Sequence, residues 1–120
     1  MKILKNKIFI IVFSLILMSI LFSVLKNFIN DRNTVNIGIV DVDGTILESR
    51  EIIKTLNLFN KNNEIDAIIV RINSPGGAVA PSQEIYKKVN KISEEDRKPI
   101  VASISSTGAS GGYYIALGAD

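Results

Sequence analysis

The chain has 120 residues, 47% of them apolar, a formal net charge of +2, and no cysteine, histidine or tryptophan. Lys2, Lys5 and Lys7 precede residue 8 and leave eleven Lys and Arg against twelve Asp and Glu, a near-neutral body with no electrostatic footprint for a nucleic-acid partner. The missing residue types exclude disulfides, cysteine-ligated zinc, a thiol nucleophile, and any Ser-His pair drawn from these residues.

Ile8 to Leu25 is an uncharged run of eighteen residues between Lys7 and Lys26. As a helix it spans about 27 Å, close to the ~30 Å hydrocarbon core of a bilayer. Phe28 and Ile29 lengthen the apolar stretch if Lys26 snorkels toward the headgroups. The three leading lysines outweigh Lys26 and Arg32 on the far side, which places residues 1–7 in the cytoplasm as a basic segment. No A-x-A-like cleavage site follows, and there is no cysteine for a lipid anchor. The expectation is an uncleaved single-pass anchor at 8–25, a linker at 26–34, and a domain at 35–120 outside the cytoplasm.

Within that domain, Val35 to Val42 reads as a strand ending at the Asp43-Gly44 turn. Ser49 is placed to cap a helix running to about Asn60, with Ile52, Leu56 and Phe59 on one face. Ala67 to Ile72 is an apolar run with the pattern of a strand buried on both faces. Pro81 suits the first turn of a second helix carrying Ile85, Val89 and Ile92 inward. Glu94 to Lys98 is a charged connector, Pro99 to Ile104 a third buried strand, and a last helix starts near Ser110 and stops at Gly118. The alternation of strand and helix predicts an α/β fold with a parallel sheet and right-handed crossovers. Three strands make it a thin and incomplete one.

Two glycine-rich turns follow the second and third strands. Ser74-Pro75-Gly76-Gly77 reads either as a plain tight turn or as backbone brought close to a substrate with its N–H groups aimed at an anion. Phosphate-loop spacings are absent. In Gly108-Ala109-Ser110-Gly111-Gly112, Ser110 is either a helix cap or an unobstructed nucleophile, whose oxyanion the Gly111 N–H and the helix dipole would stabilise. The five residues also fit G-x-S-x-G, the nucleophile elbow of α/β hydrolases. Tyr113 and Tyr114 fit packing or cleft-lining roles. Ser74, Ser105 and Ser106 are expected to be dispensable for labelling by a serine-directed reagent.

Taken together, Arg71-Ile-Asn-Ser-Pro-Gly-Gly, Lys98-Pro-Ile-Val-Ala-Ser and Ala109-Ser-Gly-Gly-Tyr-Tyr-Ile-Ala resemble the signal peptide peptidase A (SppA) family of membrane-anchored serine proteases, from about Val35 to Asp120. The resemblance implies a Clp protease/crotonase-like fold, Ser110 as nucleophile, and Gly77 and Gly111 as oxyanion donors. It also implies remnant signal peptides or other apolar peptides as substrates, a homo-oligomeric ring, and neither metal nor organic cofactor. The family's general base is a lysine well downstream of the nucleophile, which places it beyond Asp120. Lys87, Lys88, Lys91 and Lys98 read as solvated surface and as weak candidates for the base, and residues 1–120 alone are expected to be inactive. Two other readings stand beside this one: an α/β-hydrolase-type esterase with a downstream histidine, and a truncated non-catalytic scaffold.

Overall fold

The computed structural model describes residues 2–30, 34–95 and 97–120, with the helical side chains before residue 31 described at 7 and 10–26. The chain divides into two units, residues 1–35 and 36–120. The first holds helix α1 (Lys2–Asn30), along which every described apolar side chain from Ile10 to Leu25 is exposed. Among the described residues no helix is long and apolar enough to cross a membrane. The span expected at 8–25 takes in Ile8 and Phe9, whose side chains lie outside the described residues, as do residues 31–33 of the expected linker and Asp96 of the charged connector.

The second unit runs β1 (Ile37–Asp43), α2 (Arg50–Lys61), β2 (Ala67–Ser74), α3 (Val79–Glu94), β3 (Ile100–Gly108) and α4 (Gly111–Ala116). Its sheet is parallel in the order β1-β2-β3, with Ile37 opposite Ala67 and Ile68 opposite Ile100. This α/β arrangement fits the expected Clp/crotonase-like domain. Helix α2 buries Leu56, and α3 buries Ile85, Val89 and Ile92, against Val40, Val70, Ile72 and Ile100 of the sheet.

Two expectations need correction. The strands read as buried on both faces are buried on one: β2 alternates inward Ile68, Val70, Ile72 and Ser74 with more exposed neighbours, and Val101 and Ile104 of β3 remain 48% and 45% exposed. The cause is topological. Strands added in one direction by right-handed crossovers put their connecting helices on the same face, so within the second unit the other face has no helical cover. Apolar composition alone could not register that. On the bare face Arg71 grips its register partner Asp41 through two bonds of 2.6 and 2.9 Å, and Asn73 donates to Asp43 at 2.8 Å. The guanidinium holds the Asp41 carboxyl below the usual carboxylate range, chiefly through the hydrogen bond.

The second correction is length. Strand β3 continues four residues beyond Ile104, through Ser105-Ser106-Thr107, to Gly108. A register shift between Ile72 and Ser74 brings Gly108 opposite Ser74, so polar residues that read as loop extend the sheet edge instead. Strand β3 is closed at its start by Asp120, which accepts from the Ile100 N–H at 2.9 Å and from the Ser93 hydroxyl at 2.5 Å.

Candidate active site

Both glycine turns leave the C-terminal ends of adjacent parallel strands, where open α/β sheets bind their ligands. They meet in direct contact. Gly76 has φ +98°, and a Cβ there would lie 2.7 Å from the Gly111 nitrogen and 2.8 Å from the Ser110 Cβ. Only glycine takes that torsion in that space. A side chain at Gly111 would in turn collide with the hydroxyl of buried Ser82, which donates to the Ala78 carbonyl at 2.8 Å.

The first turn is stitched to the chain that follows β1. The Ile46 N–H donates to the Gly76 carbonyl at 3.0 Å, and the Ala78 N–H donates to the Ile46 carbonyl at 2.8 Å. Because a trans peptide sets C=O and N–H in opposite directions, a Gly76 carbonyl turned toward Ile46 sends the Gly77 N–H away from it. Among the described residues, neither the Gly77 N–H nor the Gly111 N–H has an acceptor. Gly111 is the first residue of α4, where an N–H has no intrahelical partner.

Ser110 has φ 50° and ψ −119°, the one positive φ at a non-glycine among the described residues. With the Gly112 N–H donating to the Ala109 carbonyl at 2.9 Å, it forms the first corner of a type II′ turn, a position that favours glycine. Holding serine there costs about 1–3 kcal/mol. The side chain makes no capping bond, so it gains nothing as an N-cap, and it is exposed. The strain displays the hydroxyl instead, as in a strand-to-helix nucleophile elbow.

Ser110, Gly77 and Gly111 line one cleft of about 260 Å³ with Val79, Ser82, Gln83 and Tyr114. The Tyr114 ring stacks on Tyr86 at 4.4 Å, which fixes one wall, whereas Tyr113 is 53% exposed and lies outside that lining. Among the described residues no lysine lines the cleft. Lys98 caps the end of α2, donating to the Phe59 carbonyl at 2.8 Å and to the Asn62 carbonyl. Burial pushes the Lys88 ammonium below the usual lysine range, but the charges around it are Glu95, Lys91 and Lys61. It sits about 9 Å along α3 from Ser82, toward the opposite end of that helix.

Sequence reasoning set Ser74 aside as dispensable for labelling, and its bonds to both turns run against that expectation. It is fully buried, its hydroxyl donates to the Gly44 carbonyl at 2.5 Å and accepts the Gly76 N–H at 3.1 Å, and its carbonyl accepts the Ala109 N–H at 3.0 Å. The period-2 series Ile68, Val70, Ile72, Ser74 was the available signal that it points inward. Val79 and Gln83 of the cleft wall had none.

A parallel α/β sheet with a strained, exposed serine in the second of two touching glycine turns fits a Clp/crotonase-like domain carrying a nucleophile-type turn. Residues 24–120 match the Clp protease family. The chain is 41% identical over 81 residues to a putative protease of Synechocystis sp., covering 66% of this chain and 28% of that protein. It is 36% identical over 93 residues to a putative signal peptide peptidase SppA of Enterococcus faecium, covering 72% and 27% respectively. Against protease 4 of Haemophilus influenzae the identity is 32% over 93 residues, 70% of this chain and 15% of the relative. The chain belongs to the Clp protease family, in its signal peptide peptidase A branch. It spans at most 28% of the length of these three relatives.

Proposed function

We propose that the chain is the N-terminal part of a membrane-anchored serine endopeptidase that degrades remnant signal peptides or other apolar peptides. The observation that carries the reading is Ser110 held in a glycine-type corner beside two acceptor-free N–H groups in one cleft. Ser110 Oγ attacks the scissile carbonyl carbon while a base takes its proton. The carbonyl oxygen, now an oxyanion, accepts from the Gly77 and Gly111 N–H groups. Collapse expels the amine, which takes a proton back from the base, and water then hydrolyses the acyl-enzyme.

The base is a lysine downstream of Asp120, as the family resemblance implies; the absence of lysine from the cleft agrees with this. The resemblance to signal peptide peptidase A, rather than the wider family, is what favours a lysine base over a histidine-dependent esterase. Anchoring through 8–25 is supported by the uncharged run and by the exposure of its described apolar side chains, since a helix apolar all round needs a non-aqueous surrounding. Residues 1–7 then face the cytoplasm and the domain lies outside. Assembly as a ring rests on the family resemblance.

A membrane-impermeant fluorophosphonate applied to intact spheroplasts carrying the full-length protein tests nucleophile and topology together. Ser110 should be labelled from outside, and Ser110→Ala should lose both labelling and peptide cleavage. Labelling only after lysis would overturn the orientation, and labelling of another serine in Ser110→Ala would overturn the nucleophile.

A further inference from the structure

We propose that Ser74 is the positioning residue of the oxyanion site, its hydroxyl fixing the direction of the Gly77 N–H relative to Gly111 and Ser110. The proposal rests on the peptidase reading above. Ser74 occupies an inward position in line with Val70 and Ile72, where an aliphatic side chain would bury without polar cost. Its hydroxyl instead bridges the end of β1, at Gly44, to the N–H of Gly76. Among the described residues no other side chain hydrogen-bonds to residues 75–77.

Gly76 is the soft element of that turn, because a residue without Cβ at φ +98° has little torsional restraint of its own. Restraint comes from both flanks: the Ser74 hydroxyl holds the Gly76 N–H, and the Ile46 N–H holds the Gly76 carbonyl. With both ends held, the next N–H in the chain, that of Gly77, has one direction. The Ser74 carbonyl meanwhile holds Ala109, the residue before Ser110, so one buried residue references both turns to the same strand end. Removing the hydroxyl leaves the Gly76 N–H and the Gly44 carbonyl without that partner and releases the first turn alone.

The test uses the full-length protein with Ser74→Ala and Ser74→Cys, the second of which fills the site with a slightly larger group that hydrogen-bonds only weakly. Expected in both is a fall in kcat of about 10- to 100-fold with KM within about 2-fold. That is less than the ~10²–10³ seen when an oxyanion donor is deleted, because here the donor is only misdirected. Affinity for a peptide aldehyde, whose hemiacetal oxygen sits where the oxyanion forms, should weaken by a similar factor. If Ser74→Ala does not fold, Ser74→Cys decides. Retention of kcat and aldehyde affinity within 2-fold in Ser74→Cys, or losses that only track the folded fraction, would overturn the positioning role. Turnover surviving in Ser110→Ala would instead overturn the peptidase reading, whatever the Ser74 variants do.

Discussion

The two glycine turns lie side by side and are built on opposite principles. The first, at 74–77, is clamped: a buried serine hydroxyl and the backbone of Ile46 hold it, and its unusual torsion falls on a glycine that takes it without strain. The second, at 108–112, is held by backbone bonds alone, from the Ala109 N–H to Ser74, from Gly112 to Ala109 and from Tyr114 to the Ser110 carbonyl, and its unusual torsion falls on Ser110. Rigidity and strain are thus assigned to different turns. The clamped turn supplies a fixed reference, and the strained one displays the hydroxyl against it.

The sharpest way to break this comparison is to ask whether the two turns suffice by themselves. Both are in place within residues 36–120, yet among the described residues no lysine lines the cleft, and a general base contributes about 10²–10⁴ in rate. Purified 1–120 is therefore expected to show no measurable peptide turnover, whereas a chain extended through the downstream lysine turns over. Cleavage by 1–120 that vanishes in Ser110→Ala would mean that the turns need no base from beyond Asp120.

Next in size is Gly76→Ala, which puts a methyl 2.7 Å from the Gly111 nitrogen at φ +98°. Overpacking and a forbidden torsion each cost about 1–3 kcal/mol, so a loss of about 2–6 kcal/mol is expected in a denaturant titration. A loss below 1 kcal/mol would show that the first turn yields easily and is no clamp. The smallest effect has the opposite sign. Ser110→Gly should remove labelling and raise stability by about 1 kcal/mol, the strain relieved less the extra entropy of an unfolded glycine. An unchanged or lowered stability would mean that Ser110 is unstrained and the contrast between the turns is false.

Much of this site was legible because its parts are local. Glycine pairs at strand ends and a serine ahead of a short helix follow from turn chemistry, and adjacency of the second and third strands follows from crossover rules. Ser110, Gly77 and Gly111 therefore share a cleft for reasons the sequence carries. The bare sheet face was not legible: Val101 and Ile104 read as core until the common hand of both crossovers removes their cover. Nor was Ser74, since its three partners at Gly44, Gly76 and Ala109 become neighbours only after the strands pair. The sign of φ at Ser110 is a tertiary outcome too, for serine alone prefers the cap that it does not make here.

The parallel register has a consequence in time. Each strand pairing joins residues about thirty apart, Ile37 with Ala67 and then Ile68 with Ile100, and closing a loop of that length costs about 3 kcal/mol of chain entropy before any contact repays it. Such non-local ladders zip slowly, and they zip in order as the ribosome releases the chain, β1 on β2 before β3 on β2. The bond from the Ala109 N–H to the Ser74 carbonyl belongs to the second closure. A nascent chain therefore carries Ser110 as an ordinary, unconstrained serine until its last crossover has closed.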